Sequence, residues 1–311
     1  MADTARQYKF QLGVESVYAD GGSSFTDLPV AYTGIPELDL KKFEVPVYNG
    51  SLAQQKTYYS PQVYTVPLSF YLKGSGTAGT APELDKIFRA AGLQATNTPV
   101  TSQTYKPRDT GHESFGAKVN LNGVEYALSG ARITKLSIPM KGGEPVTVTG
   151  ELKGLYNAPT ASAYSAPTFA DVAVAPPVCY SSALTIAGTS YVIPEFTINL
   201  EYDFDVIPSI NAANNGIAEI AFSGRKYGGE FLVQRASGND IEFWTALTAS
   251  TELAVLQTSF GSAGNKMDFD FANMQLTSVK PEYAYNQQFY RVQFQMNYNA
   301  TAASEFQLKF T

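Results

Sequence analysis

The amino-acid sequence predicts a mainly β protein built from two tandem β-sandwich modules, each with one short helix. Three observations support this prediction. The chain has 311 residues, which suits one large or two ordinary domains. It contains 20 Tyr and 19 Phe but only one Trp, and Tyr and Phe favour pleated, half-buried surfaces. The same order of strand and helix patterns also occurs twice along the chain, which indicates an internal repeat.

The first repeated pattern is the start of a strand. Residues 35–38 read Ile-Pro-Glu-Leu and residues 193–196 read Ile-Pro-Glu-Phe, a shift of 158 positions. Apolar and polar residues alternate after both copies, as in a half-buried strand. A second strand pattern follows in each copy, and its apolar residues match at a shift of 161. Leu68, Phe70 and Leu72 alternate in the first copy, and Phe70 and Leu72 match Phe231 and Val233 in the second.

A short helix is predicted next in both copies. Residues 80–83 (Thr-Ala-Pro-Glu) have the pattern of a capping box with proline in the first turn, and residues 239–242 (Asn-Asp-Ile-Glu) repeat it at a shift of 159. Gly92 is typical of a helix end. Helical spacing places several apolar residues on one buried face of each helix. They are Leu84, Ile87, Phe88 and Ala91 in the first copy, and Phe243, Ala246 and Leu247 in the second.

Both copies end in an alternating strand, and Tyr-Asn-Ala at residues 156–158 matches Tyr-Asn-Ala at 298–300 at a shift of 142. The four matches occur in the same order, and inward-facing and outward-facing positions are the same in both copies. This favours duplication. Two unrelated β domains with similar patterning are the alternative.

The matches define the predicted domains. Residues 1–24 form an N-terminal arm with one strand, 25–156 the first module, 157–180 a linker rich in Ala, Pro, Ser and Thr, and 181–311 the second module. Long hairpin loops are predicted at residues 47–62 and 207–216, and loops of this length in compact β domains are usually functional or disordered.

The residue inventory excludes several kinds of site. The net charge of -6 argues against a general nucleic-acid binder. His112 and Cys179 are the only residues of their types, so no intrachain disulfide, zinc site or cofactor is predicted. The segment around His112 is polar, which predicts a solvated loop histidine. No secretion signal or membrane span is recognised, which predicts folding in a cytoplasm.

Two groups of carboxylates alternate with apolar residues. Two-residue spacing places acids together on the solvated face of a strand. We expect a solvated face, or an acidic stripe that lines a channel and repels DNA phosphates. The residues are Glu201, Asp203, Asp205, Asp268 and Asp270. A carboxylate-dependent glycan hydrolase is a weaker alternative, and it would lose activity when Asp203 or Asp205 is neutralised.

Three segments of the first module resemble the tail tube proteins of long-tailed, non-contractile bacteriophages. Residues 82–93 read Pro-Glu-Leu-Asp-Lys-Ile-Phe-Arg-Ala-Ala-Gly-Leu and predict the helix. Residues 119–132 read Val-Asn-Leu-Asn-Gly-Val-Glu-Tyr-Ala-Leu-Ser-Gly-Ala-Arg and predict a hairpin. Residues 150–159 end a strand in Gly-Leu-Tyr-Asn-Ala-Pro.

The resemblance implies a structural protein of the virion tail, assembled in the bacterial cytoplasm, without cofactors or catalysis. Subunits of that family close into rings by pairing sheets, and the rings stack into a hollow tube for DNA ejection. Most members have one module and form hexamers. A subunit with two modules therefore implies trimeric rings with six pseudo-equivalent modules. The implied partners are further copies of the chain and the tape measure, terminator and distal tail proteins, and DNA passes through without specific binding.

Contacts between rings are expected from residues 47–62 and from the arm before Phe25. The candidate residues of the loop are Tyr48, Leu52, Lys56, Tyr58 and Tyr59. The alternative function is a receptor-binding or capsid-decoration protein that does not polymerise.

Overall fold

The structure is a computed structural model that describes residues 7–32, 34–44, 56–180, 183–213, 215–235 and 239–311. Strands account for 58 % and helices for 5 % of the structure, so the prediction of a mainly β fold is confirmed. Neither of the helices in the described ranges is long and apolar enough to cross a membrane.

The described residues of the first half, up to residue 161, form eleven strands and one helix. They are β1 (Tyr8–Val14), β2 (Ser23–Asp27), β3 (Ala31–Tyr32), β4 (Glu37–Glu44), β5 (Thr57–Tyr71), α1 (Asp85–Ala90), β6 (Leu93–Thr98), β7 (Ser102–Pro107), β8 (Phe115–Leu121), β9 (Val124–Lys141), β10 (Thr147–Tyr156) and β11 (Thr160–Ala161).

In the second half, from residue 183, the part of the chain that the structure describes forms eight strands and one helix. They are β12 (Ala183–Ile186), β13 (Thr189–Ser190), β14 (Glu195–Pro208), β15 (Ile217–Gln234), α2 (Asn239–Thr248), β16 (Glu252–Phe260), β17 (Met267–Ala284), β18 (Gln287–Met296) and β19 (Gln307–Phe310).

Eight strands form one continuous antiparallel sheet that crosses both halves, here called the long sheet. Its order is β4-β5-β10-β9-β14-β15-β18-β17. The pairing of β9 with β14 joins the halves, from Lys141 opposite Glu195 to Lys135 opposite Glu201. We call this pairing the internal seam.

The strand pairings of the two halves follow the same order. In the first half the order is β4-β5-β10-β9-β8-β1, and in the second it is β14-β15-β18-β17-β16-β12. In each half one strand of this order, β9 or β17, is 18 residues long. Its N-terminal part pairs with one neighbouring strand, and its C-terminal part pairs with another. The two halves therefore share one topology.

A second pairing also connects the halves. The C-terminal strand β19 lies between β17 of its own half and β7 of the first half, with Leu308 opposite both Phe269 and Tyr105. One apolar core consequently runs through both halves and includes Phe88, Tyr105 and Phe310 in mutual contact. Single helices cover the core, with α1 packed on β1, β6 and β9, and α2 packed on β17.

Helix α1 confirms the predicted apolar face but not the predicted cap. Leu84, Ile87, Phe88 and Ala91 are all buried, and Gly92 ends the helix with a φ of 69°. The N-cap position is occupied by Leu84, and it makes no side-chain capping bond. The predicted capping box is wrong because Glu83 is engaged elsewhere: its carboxylate accepts a hydrogen bond from the Ala170 N–H.

The predicted linker is bound along the first half. Lys73 donates to the Asp171 carbonyl at 2.5 Å, and the Asp171 carboxylate accepts from the Glu83 N–H at 3.0 Å. The Thr168 N–H donates to Asp27 at 2.7 Å. Residues 157–180 are thus part of the packed structure rather than a free connection.

The predicted N-terminal arm is also part of the first half. Strand β1 lies between β8 and β2, and its side chains Phe10 and Leu12 are buried in the core. A strand was predicted at residues 8–17, and the structure has it at Tyr8–Val14. Its apolar residues fill the core of the first half, so this part of the predicted arm packs against the first half.

Candidate assembly surface

One face of the long sheet is packed on the core, and the opposite face, here called the polar face, carries polar side chains. Successive side chains along a strand point to opposite faces, and this produces the two faces. Ile138 and Ile198 are fully buried on the core side, while their neighbours Ser137 and Asn199 are half-buried on the other. The charged residues of the polar face are Glu37, Asp39, Lys41, Lys135, Lys141, Glu151, Lys153, Glu195, Glu201, Asp203, Lys226, Glu230, Lys280, Glu282 and Arg291.

Opposite charges alternate between neighbouring strands of the polar face. Lys135 Nζ lies 2.6 Å from Glu201, and Lys226 Nζ lies 2.9 Å from Asp203. Arg291 lies at 2.8 Å from Glu282 and 3.1 Å from Glu230. Exposed pairs of this type contribute little stability, about 0–1 kcal/mol each. Their main effect is to leave the surface without a strong net charge.

The structure brings only part of the predicted acidic stripe together. Glu201 and Asp203 lie side by side on the polar face, and each has a lysine partner. Asp205 follows a register shift near the exposed end of β14. Asp268 and Asp270 lie in the N-terminal part of β17, where that strand pairs with β19 and β16. Burial raises the pKa of Asp270. That these carboxylates line a channel stays a prediction.

The long sheet ends in an open edge at β4. Within the part of the chain that the structure describes, β4 pairs only with β5. Its apolar side chains are poorly covered: Leu40 is 46 % exposed and Phe43 is 44 % exposed. The sequence repeat matches Leu40 with Ile198, which is 0 % exposed because β9 covers it. The two residues differ in register, since Leu38 lies opposite Tyr64 whereas Phe196 lies opposite Phe231. The first half therefore has an uncovered strand where the second half has a covered one.

The opposite end of the long sheet is open at the C-terminal part of β17. Residues 278–284 pair with β18, and no described strand lies on their other side. Tyr283 is 72 % exposed there. Pro281 fits this position, since proline in sheets is confined largely to edge strands. The corresponding part of β9 is not open, because β14 occupies it.

The predicted inter-ring loop is only partly described. Tyr48 and Leu52 lie outside the described residues. Tyr58 and Tyr59 belong to β5 rather than to a loop, opposite β4, and both side chains are exposed. Lys56 lies with its ammonium 5.1 Å from the centre of the Tyr58 ring. The second hairpin loop is confirmed between β14 and β15, and Ile210 is fully exposed near its tip.

A buried polar cluster fixes the two halves against each other, and sequence reasoning missed it. The buried Arg132 guanidinium donates to the Ile220 carbonyl and lies 3.1 Å from Glu219. The Tyr18 hydroxyl accepts from the Ile220 N–H at 2.7 Å. Burial raises the pKa of Tyr18 to about 12. The strand pattern gave no signal for this cluster, because its members lie far apart in sequence.

His112 belongs to the same region. Its ring packs edge-on against Phe222, with centroids 5.1 Å apart, and its Nδ1 atom is buried without a hydrogen-bond partner. Burial and the neighbouring guanidinium groups of Arg132, Arg108 and Arg225 lower the pKa of His112. His112 lies in the loop between β7 and β8, as predicted, but its ring is only partly exposed and packs on Phe222 instead of being solvated. Among the described residues, no three His, Cys, Asp or Glu side chains form a cluster that could hold a metal ion.

Comparison with known proteins decides the family. A family model described as phage tail tube protein matches residues 21–289. The chain belongs to the phage tail tube protein family. As a tail tube family member, it is a structural component of the virion tail, in a family whose role is assembly with other tail proteins rather than catalysis. The match runs through both halves, beyond the segments that carried the resemblance. No curated protein sequence matches the chain.

Proposed function

We propose that this protein is the repeating subunit of a phage tail tube, in which copies join edge to edge into closed rings of three. The rings stack into a hollow tube that conducts DNA during ejection. The observation that supports the proposal is the long sheet, which is continuous through the subunit and, among the described residues, open at both ends. Unpaired edges that are uncovered and apolar promote pairing with another chain.

The number three follows from the two halves. Their shared order of strand pairing supports an origin by duplication, with each half filling one of six similar places in the ring. A contact that joins one edge to a different edge is heterologous, and such contacts form a ring when the rotation closes. Two places per subunit then require three subunits.

The size of the ring supports a conduit. Three copies of eight strands would give a closed barrel of 24 strands, and barrels of about 16–18 strands already leave an aqueous channel. Both described helices pack their apolar residues into the core on the apolar side of the long sheet, so that side would face outward. The polar face would then line the channel.

The charge pattern of the polar face suits DNA that must pass without binding. Specific or tight DNA binding needs an excess of Lys and Arg that neutralises phosphates. Here the cations Lys135, Lys226 and Arg291 are each paired with carboxylates. A lining of paired charges would give the phosphates no strong attraction to any one site.

Contacts between rings are assigned to the ends of the two long hairpins. The exposed residues Tyr58 and Tyr59 lie near one hairpin end, and Ile207 and Ile210 near the other. The same surfaces would meet the terminator, tape measure and distal tail proteins at the ends of the tube, during assembly in the bacterial cytoplasm. Replacing residues 47–55 with a short turn is expected to abolish normal tubes, and normal tubes would refute this assignment.

Negative-stain microscopy of the purified protein at rising concentration tests the proposed function. We expect hollow tubes of uniform width above a threshold concentration. A protein that stays monomeric at every concentration would contradict the proposal and would favour a receptor-binding or decoration role.

A further inference from the structure

We propose that a pocket in the second half binds an alkylammonium group, the chemical group that Lys86 supplies at the matching place in the first half. The pocket lies between α2 and the β12–β13 hairpin and has a volume of about 440 Å³. Pockets of about 300–1,000 Å³ are typical of small-ligand sites. The site belongs to the single subunit, so it does not depend on the assembly of rings.

Helices α1 and α2 hold matching places in the two halves. The shift of 159 that aligns the two helix patterns places Leu84 on Phe243 and Ile87 on Ala246. All four side chains are buried. Helix α1 packs on β9 and α2 packs on β17, and these strands match in the order of strand pairing. The two helices therefore turn equivalent faces towards the core.

The strands beside the two helices also match. In the first half, β1 lies between β8 and β2, and all its pairings are antiparallel. In the second half, β12 lies between β16 and β13, again in antiparallel pairings. The β12–β13 hairpin therefore holds the place of β1 and β2.

Lys86 joins the helix to these strands in the first half. Its ammonium donates to the Leu12 carbonyl at 3.0 Å, to the Ser24 carbonyl at 2.7 Å and to the Thr26 hydroxyl at 2.7 Å. A lysine ammonium has three donors, so all of them have acceptors here. The side chain is half-buried and fills the space between α1, β1 and β2.

The pocket occupies the matching space in the second half. The shift of 159 places Lys86 on Thr245, whose side chain is short and carries no charge. Thr245 lines the pocket together with Ile186 of β12 and Thr189 of β13. The space that a lysine side chain fills in the first half is therefore open in the second.

The lining of the pocket suits a ligand with an apolar chain and a positive charge. Ile186, Phe243 and Leu253 supply apolar contacts. Glu242 is the one charged residue among the described residues of the lining, and its carboxylate accepts a hydrogen bond from the Tyr191 hydroxyl at 2.7 Å. Hydrogen bonds between an ammonium and a carboxylate are about twice as strong as neutral ones. The carboxylate therefore favours an ammonium group over a neutral or anionic one.

Binding of 1-aminopentane to the full-length chain tests the proposal. Trp244 is the only tryptophan, and it lies in α2 between two residues that line the pocket. We expect the amine to change the emission of Trp244 saturably and to raise the thermal unfolding midpoint, because a ligand of the native state stabilises it. 1-Pentanol has the same chain without the charge and should bind several-fold more weakly. Equal binding of the two compounds, or no effect of the amine on either measurement, would overturn the proposal.

Two glutamate variants test the role of the carboxylate. Glu242→Gln is expected to weaken the binding of 1-aminopentane several-fold. Glu125→Gln is the control, because it removes the same charge from a surface pair with Lys118 in the first half, and it should leave binding unchanged. Equal binding by the Glu242→Gln variant and the unmodified protein would contradict a site at Glu242, and so would equal weakening in both variants.

The variant Thr245→Lys tests the match between the halves. Its side chain would fill the pocket from within the subunit, as Lys86 does in the first half, and we expect the binding of 1-aminopentane to be lost. Unchanged binding by the folded variant would overturn the proposal.

The alkylammonium group has two sources, a free amine or a lysine side chain of another protein, and two further compounds distinguish them. Pentane-1,5-diamine represents the free amine, and Nα-acetyl-lysine N-methylamide represents a lysine within a chain. Tighter binding of the diamine assigns the pocket to a free amine, and tighter binding of the lysine derivative assigns it to a partner protein. Either result supports the site, whereas binding of neither compound overturns it.

Discussion

At the scale of single residues, buried polar contacts add to the apolar core that joins the two halves. Arg132 lies under the rings of Tyr18 and Phe222, with its guanidinium 5.4 Å from the centre of each. It also donates to the Ile220 carbonyl of the second half. A buried cation of this kind fixes one arrangement of the halves, since its removal leaves a carbonyl without a partner.

Arg132→Ala is therefore expected to lower the free energy of unfolding by about 2–4 kcal/mol, from a lost charged hydrogen bond and lost packing. Lys226→Ala is the control, because its pair with Asp203 is exposed and its loss should cost less than about 1 kcal/mol. Urea denaturation of both variants at low protein concentration measures the difference. Equal losses would show that Arg132 does not join the halves.

Through His112, the free energy of unfolding is expected to depend on pH. Its pKa in the folded protein lies below the usual value, so the unfolded chain binds the proton more readily. Stability is then fully present above about pH 6.5, the ordinary pKa, and falls as the pH decreases below it, by at most about 1.4 kcal/mol per unit.

Since His112 is the only histidine, the variant His112→Gln is expected to remove this dependence near neutral pH. Urea midpoints of the two proteins between about pH 5.5 and 7.5 provide the comparison, in the range where histidine titrates. Parallel curves would show that His112 is not responsible.

The sequence predicted the surroundings of some residues and not of others. It found the buried face of α1, because helical spacing depends only on local order. It missed the role of Glu83, because the Ala170 N–H competes for that carboxylate from 87 positions away. It also placed His112 in solvent, since nothing local indicates that Phe222 packs on it. Local pattern is readable from the sequence, whereas partners brought together by the fold are not.

At the scale of elements, β4 and β14 are matched strands in different surroundings. The sequence predicted their similarity, and both pair with the following strand in a long hairpin. It could not show that β9 would cover β14 and leave β4 open, because that depends on how the halves meet. The open ends of the long sheet, rather than any cluster of reactive side chains, are the functional surface in the proposed assembly.

The same substitution in the two strands should have different effects. Leu40→Lys is expected to change the free energy of unfolding of the monomer by no more than about 0.5 kcal/mol, as at other exposed positions, but to prevent tubes. Ile198→Lys buries an unpaired charge and should destabilise the monomer by more than about 3 kcal/mol. Urea denaturation and microscopy measure the two effects. Normal tubes from Leu40→Lys would show that the β4 edge is not a contact.

At the scale of the whole molecule, the long sheet joins the two halves through the internal seam between β9 and β14. Within the described residues it is open at both ends, at β4 and at the C-terminal part of β17. The proposed ring would satisfy both open ends by pairing each with another copy of the chain.

The number of copies in one ring, counted from averaged cryo-electron microscopy images of tubes in cross-section, tests this account most directly. Two places per subunit predict three copies, with six similar densities around the channel and the polar face inside. Six copies per ring, or a ring whose subunits meet away from the two ends of the long sheet, would contradict it.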